Sequence, residues 1–233
     1  MKLKDKVVII TGGARGIGQA IAMHCAREGA RVGICARTAA EIDATVAELK
    51  KFSPDAAGWT CDVSDEQQVE QFVRQAHAHF ARIDCLINNA GVMTRPAPIT
   101  ELEVRKFDYA VAVNLRGTFL MCKAVVPIME KQRGGSIVNM SSMVGRGAYA
   151  NFVGYAASKW GVEGLTVTLA AELSSARIRV NSVEPGYVAT KMTGYHGSKP
   201  ESVTDVFVCL ASDEAKSVTG KMLSSSGWQS QVR

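Results

Sequence analysis

The chain has 233 residues, of which 47% are hydrophobic and 21% charged, with a formal net charge of +5. A length of this order suits one large α/β domain that buries about 70% of its unfolded surface and needs no disulfide staples; the composition is that of a globular protein, which excludes disorder as the default. The 27 Lys and Arg are scattered among 22 Asp and Glu, and basic clusters such as Lys2, Lys4 and Lys6 or Lys131 and Arg133 lack interleaved aromatics, so no nucleic-acid partner is expected.

In chain order, short apolar runs alternate with longer helical patterns. Strands are predicted at 7–11, 31–35, 58–61, 84–88, 136–141, 179–183 and 221–223. Helices are predicted near 17–28, 39–51, 66–80, 101–132, 155–175 and 200–211. The spacing of Val69, Phe72, Val73, Ala76 and Phe80 follows the i, i+3, i+4 rule. Thr38 and Ser64 read as N-caps, with 64–67 as a capping box. Strand–helix alternation implies parallel strands joined by right-handed crossovers with helices on both faces, and the near-continuous apolar strands fit a sheet covered on both sides. The expected fold is α/β, a doubly wound seven-stranded parallel sheet. No linker or composition break divides it, so a single domain over 1–233 is expected.

Six cysteines (25, 35, 61, 85, 122 and 209) form no CxxC pair, and four histidines form no metal-ligand spacing. The expectation is buried thiols, no metal and a reducing, cytoplasmic compartment. The N-terminus lacks a signal-peptide apolar core, and no window approaches a spanning run of uninterrupted apolar residues, so no membrane partner is expected.

Directly after the first strand comes Thr11-Gly12-Gly13-Ala14-Arg15-Gly16-Ile17-Gly18, opening into a helix. Glycines there let backbone approach a pyrophosphate, and the helix N-terminus supplies free N–H groups and partial positive charge. A mild basic excess suits such an anionic ligand. The spacing is GxxxGxG, and at this point the chain resembles the short-chain dehydrogenase/reductase family, a Rossmann-fold group. Asn88-Asn89-Ala90-Gly91 matches its NNAG element. Asp62-Val63 matches the pair that contacts adenine, and Pro185-Gly186 with Val188 and Thr190 the segment around the nicotinamide carboxamide. The resemblance implies a dinucleotide held by Gly12, Arg15, Gly16, Ile17, Gly18, Arg37, Asp62, Val63, Asn89, Ala90, Gly91, Pro185, Gly186, Val188 and Thr190, together with Tyr155 and Lys159.

An NAD-preferring site carries a carboxylate at the end of the second strand. Here the sequence is Cys35-Ala36-Arg37-Thr38. Ala36 would not repel a 2′-phosphate and Arg37 can pair with one, with Arg15 a second candidate. NADP(H) is the expected cofactor.

Tyr155 and Lys159 stand four residues apart at the start of a helix and so share a face. Ser142 precedes Tyr155 by 13 residues, a spacing that resembles the family's serine–tyrosine pair, and Asn114 matches its fourth catalytic position. Hydride delivery to a carbonyl carbon builds charge on oxygen, so the site must donate a proton and stabilise that charge. By the resemblance, Tyr155 is the acid, with its pKa lowered by the Lys159 ammonium and the cationic oxidised nicotinamide together. Ser142, preferred over Ser141, donates to the substrate oxygen, and Asn114 holds a water that links Lys159 to solvent. Met143, Val144 and Tyr149 read as substrate lining, with core the alternative for Met143 and Val144.

The chain departs from the family pattern in three places. Only nine residues, 191–199, occupy the position of a longer lid, predicting an open cleft. Glu184 precedes Pro185 where relatives mostly carry a smaller or neutral residue; facing the cleft it would disfavour anionic substrates, and facing solvent it would do nothing. The usual Asp-Gly-Gly after the last strand is replaced by Ser224-Ser225-Ser226-Gly227-Trp228. The expected activity is reduction of a ketone or aldehyde, a 3-oxoacyl thioester being one option. The alternatives are a secondary-alcohol or hydroxysteroid dehydrogenase and a non-catalytic NADP(H)-binding regulator. The expected partners are a small carbonyl or alcohol substrate and further copies of the chain, as a homodimer or homotetramer.

Overall fold

The structure is a computed structural model and describes residues 1–232. Its elements in order are β1 (Val7–Thr11), α1 (Gly16–Arg27), β2 (Arg31–Ala36), α2 (Ala39–Leu49), β3 (Ala57–Thr60), α3 (Glu66–Phe80), β4 (Cys85–Asn88) and α4 (Val104–Val111). A π-helical turn (Ala112–Arg116) leads into α5 (Gly117–Gln132), followed by β5 (Gly135–Met140), α6 (Val153–Glu172), β6 (Ile178–Glu184), α7 (Asp205–Ala211), β7 (Met222–Ser224) and α8 (Gln229–Val232). All seven strands pair in parallel in the order β3-β2-β1-β4-β5-β6-β7, the doubly wound sheet expected.

Strand alternation explains why the sheet is covered twice. Val8 and Ile10 of β1 join a core with Ile21, Cys25, Ile42 and Phe207, from α1, α2 and α7. Val7 and Ile9 join a second core with Phe72, Phe80, Leu120 and Val125, from α3 and α5. Successive side chains on a strand point to opposite faces, so a run apolar at every position serves both cores. All six cysteines lie buried within these layers as free thiols.

Several boundaries differ from the sequence-based expectation. The helix expected over 101–132 starts at Val104 and is interrupted by the π turn, one extra residue in the helical ladder. The 18-residue window in this run reaches a mean hydropathy of 1.4, enough by length and composition to cross a membrane, yet 44% of it is buried inside the protein. The capping box expected at Ser64 is displaced by one residue. Asp65 is the N-cap of α3 and accepts from Gln68 N at 3.1 Å, while Ser64 Oγ turns back to Asp62 Oδ1 at 2.7 Å. The Asp65 carboxylate takes the capping role in place of the Ser64 hydroxyl. Thr38 does precede α2 but makes no side-chain cap bond. The helix expected over 200–211 is a 3₁₀ turn, Pro200–Val203, followed by α7.

The strand order reverses between β1 and its two neighbours β2 and β4. Ligands in open parallel sheets bind at such a switch point, outside the carboxyl ends of the strands. Thr11, Asn88 and Asn139 lie in register across β1, β4 and β5 at that end.

Candidate active site

The carboxyl ends of β1, β4, β5 and β6 open onto a cleft of about 1070 Å³. Two polar stitches shape its floor. Thr11 Oγ1 accepts from Asn89 N at 3.1 Å and Ala90 N at 3.0 Å, and Asn89 Nδ2 donates to the Thr11 and Gly12 carbonyls at 2.9 and 3.1 Å. The loop after β4 is thereby tied to the glycine loop after β1. Gly12 has φ +64°, and a Cβ on Gly18 would stand 2.3 Å from Gly12 O; the tight loop thus requires glycine at both places. Asn88 Nδ2 donates to Asn139 Oδ1, and Asn139 Nδ2 to Thr166 Oγ1, both at 2.9 Å, joining β4 and β5 to α6.

Most residues singled out from sequence line this cleft: Gly12, Arg15, Gly16, Ile17, Gly18, Arg37, Asp62, Val63, Asn89, Ala90, Gly91, Tyr155, Lys159, Pro185 and Thr190. Gly186, Val188, Asn114 and Ser142 stand behind or beside its wall; Val188 is buried and Gly186 takes a φ of +75° that follows Pro185. The cleft also takes in Glu41, Met192 and Tyr195, which carry no motif.

A dinucleotide fits the groups present. No side chain caps α1, so the N–H groups of its first turn are left for an anion. Ser141 Oγ, in the cleft wall, is buried without a hydrogen-bond partner, and such a group is costly unless something binds it. Gly91 leaves space that a Cβ would fill, 3.3 Å from Asn114 Oδ1 and 3.7 Å from Lys159 Nζ. Ala36 and Arg37 stand at the end of β2 as the sequence implies. Arg37 Nη1 donates to Tyr109 Oη at 3.0 Å, and Arg15 pairs with Glu41 at 3.1 Å. Among the described residues no group of three His, Cys, Asp or Glu is placed to hold a metal.

At the other end, Tyr155 and Lys159 rise from the first turns of α6 into the cleft, and Lys159 Nζ lies 5.8 Å from the Tyr155 ring centroid. Lys159 Nζ donates to Met140 O at 2.8 Å. Burial pulls the Lys159 ammonium down to about 8, opposed by the charge of Glu163. The protein's own groups act on Tyr155 in the opposite sense to the lowering expected of lysine and nicotinamide together. Burial pushes the phenol up, and only the Ser142 hydroxyl pulls the other way, because Tyr155 is 8% exposed and desolvation penalises the phenolate.

Ser142 caps the 3₁₀ turn Met143–Gly145, its Oγ accepting from Val144 N at 3.2 Å, which leaves its O–H free to donate. Asn114 sits in the π turn, where Oδ1 accepts from Val92 N at 2.8 Å and Nδ2 donates to Val92 O at 2.9 Å and Ser158 Oγ at 3.0 Å. Its side chain is therefore a brace on the loop after β4. Its backbone carbonyl accepts from Thr118 Oγ1 at 2.8 Å. Ser158, which also donates to Tyr155 O at 2.7 Å, was not singled out from sequence; its position on the turn between Tyr155 and Lys159 was the available signal.

Glu184 faces neither cleft nor solvent. One carboxylate oxygen accepts from Gly186 N at 2.9 Å and the other from Ser224 Oγ. Two departures from the family pattern, the glutamate and the serine-rich ending, are thus partners. The 191–199 stretch folds as a tight turn: Thr190 caps the 3₁₀ turn Lys191–Thr193, Val188 bridges to Ser198, and Tyr195 N donates to Thr190 O at 2.7 Å.

The sequence pattern of the family described as short chain dehydrogenase matches residues 6–201. A 3-oxoacyl-[acyl-carrier-protein] reductase of Thermotoga maritima is 39% identical over 97% of this chain and 98% of its own length. A 3alpha-hydroxysteroid dehydrogenase of Mediterraneibacter gnavus is 36% identical over 97% of this chain and 98% of its own. The crystal structure of a levodione reductase superposes with a TM-score of 0.92 at 33% identity, covering 99% of this chain and all of that one. The chain belongs to the short-chain dehydrogenase family, oxidoreductases that use NAD(P)(H) to interconvert CH–OH and C=O groups.

Proposed function

We propose that this protein is an NADP(H)-linked carbonyl reductase in which Tyr155 donates the proton and Lys159 and Ser142 support it. The observation that carries this reading is the placement of Tyr155 and Lys159 together in the wall of a cleft whose far end presents the glycine loop and Arg37. When bound, the reduced nicotinamide supplies the hydride. Gly12 to Gly18, Asp62, Val63 and Asn89 to Gly91 would hold the dinucleotide, with Pro185, Gly186, Val188 and Thr190 at the nicotinamide end. Arg37 would pair with a 2′-phosphate, the exposed Tyr109 hydroxyl yielding it; Arg15 is already partly engaged by Glu41.

In the reductive direction Tyr155 O–H gives its proton to the substrate oxygen, Ser142 O–H donates a hydrogen bond to the same oxygen, and the Lys159 ammonium stabilises the phenolate left behind. The upward push of burial on Tyr155 favours its proton-bearing form, the form that reduction requires at the start of the step. Ketones and aldehydes are the substrate class. A 3-oxoacyl thioester is the first to try, by analogy with the Thermotoga relative.

The protein is further proposed to work as one domain, in the cytoplasm, as a homodimer or homotetramer. The free buried thiols support a reducing compartment. Exposed apolar side chains on α5 and α6, including Phe119, Trp160 and Val167, support self-association.

Tyr155→Phe tests the reading. It is expected to cut carbonyl reduction by about 10²–10⁴-fold, while NADPH binding, followed by cofactor fluorescence, stays within about threefold. Turnover within about tenfold of wild type would remove Tyr155 from the role.

A further inference from the structure

Behind the Tyr155–Lys159 pair lies a buried charge that belongs to neither the family motif nor the cleft lining. Glu163 sits one helical turn beyond Lys159 on α6, so the two side chains share a face, and it is 4% exposed. A carboxylate at that depth remains an anion only with partners. Arg146 Nε donates to one of its oxygens at 2.9 Å and Ser182 Oγ to the other. Arg146 Nη2 also donates to Ser182 Oγ at 3.4 Å. Three elements therefore converge on one side chain: α6, β6 through Ser182, and the 3₁₀ turn that starts at Ser142 and closes at Arg146. That turn packs on the lysine itself, since a Cβ on Gly145 would stand 3.0 Å from Lys159 Cβ.

We propose that Glu163, fixed by Arg146 and Ser182, is a positioning residue whose negative charge keeps Lys159 an ammonium behind Tyr155. The inference rests on the proposed role of Lys159 and deepens it. Among the described residues the hydrogen-bond acceptor of Lys159 Nζ is a neutral carbonyl, Met140 O, which supports the ammonium but brings no counter-charge as a carboxylate does. Burial draws Lys159 toward the neutral amine and Glu163 opposes it. The charged groups on the other elements around α6 are committed elsewhere or exposed. Arg116 of the π turn is held by Ser64 O and Glu66, and Glu184 of β6 by Gly186 and Ser224. On α4, Arg105 and Lys106 both pair with Glu103, and Asp108 lies in solvent. Arg179 of β6 donates to Leu210 O and Ser212 O.

The test separates charge from packing. Glu163→Gln keeps an acceptor for Arg146 and removes the charge; Glu163→Asp keeps the charge; Arg146→Gln strips the neutralising cation from the same carboxylate. In cofactor-free protein isotopically labelled at lysine Cε, the Lys159 resonance is identified by its loss in Lys159→Arg and titrated by NMR. The Lys159 midpoint is expected near 8 in the wild type. Glu163→Gln is expected to move it down by about one pH unit, Glu163→Asp to hold it near the wild-type value, and Arg146→Gln to move it up. Should Glu163→Gln fail to fold, the upward move in Arg146→Gln carries the test. A midpoint unmoved by Glu163→Gln, or moved in the same direction by Glu163→Gln and Arg146→Gln, overturns the inference. The alkaline limb of carbonyl reduction is expected to follow the same shifts. If the NMR midpoints move as stated and that limb does not, the charge coupling stands and the role of Lys159 in turnover falls.

Discussion

Arg37 carries the choice of cofactor in this account, and its guanidinium is exposed and hydrogen-bonded to the Tyr109 hydroxyl. A charge-assisted bond of this kind contributes about 1.5–3 kcal/mol when intact, less where water competes. Arg37→Ala is therefore expected to lower kcat/KM for NADPH about tenfold and to leave that for NADH within about twofold. Equal losses with both cofactors in steady-state kinetics would show that Arg37 does not read the phosphate. The residues at both ends of the cleft were legible in the sequence because helical periodicity and the glycine loop are local properties. Tyr155 and Lys159 needed only one turn of helix to be brought together. The direction of the Tyr155 shift was not legible, because it depends on how deeply α6 is covered by other elements. Glu163 was missed for the same reason: its charge matters only once burial places it with Arg146 and Ser182.

At the level of elements, the end of β6 and the end of β7 are coupled by Glu184, which holds the turn at Gly186 and the Ser224 hydroxyl together. Further bonds reinforce the seam: Ser225 N donates to Glu184 O and Ser225 Oγ to Pro185 O, both at 2.9 Å. Glu184→Ala leaves the Gly186 N–H and the Ser224 hydroxyl without their acceptor and is expected to cost about 1–3 kcal/mol. For a chain of this size each kcal/mol lowers Tm by about 2–4 °C. Thermal melting that is unchanged in Glu184→Ala would refute the coupling. Sequence alone registered Glu184 and the serine-rich ending as two separate oddities. Their pairing across β6 and β7 is a matter of strand register, which lies beyond local pattern. The π turn at Asn114 was likewise invisible, since one extra residue in a helix leaves the apolar period almost unchanged. The cap expected at Ser64 falls one residue later, on Asp65, whose carboxylate accepts from Gln68 N.

For the whole molecule, the parallel sheet covered on both faces follows from strand–helix alternation and near-continuously apolar strands, which were readable in the sequence; the strand order is a property of the fold. The sheet's switch point then fixes where the cleft opens. A shallow groove outside it, lined by Leu115, Phe119, Gly161, Gly164 and Leu165, lies between the π turn with α5 and α6. Under the proposed self-association a second copy covers this face. Phe119→Arg is expected to shift the sedimenting species to a smaller assembly in analytical ultracentrifugation, with activity reduced if α6 loses its support. An unchanged sedimentation profile would place the interface elsewhere.

Carbonyl reduction itself is the claim on which the rest depends. It is tested most directly by following reduced-cofactor absorbance with NADPH and with NADH across a panel of ketones, aldehydes and a 3-oxoacyl thioester. The account predicts alcohol formed in step with cofactor consumed, and a kcat/KM for NADPH at least about tenfold above that for NADH, as a single discriminating charged contact allows. Absence of turnover with every carbonyl, or equal efficiency with both cofactors, would contradict it.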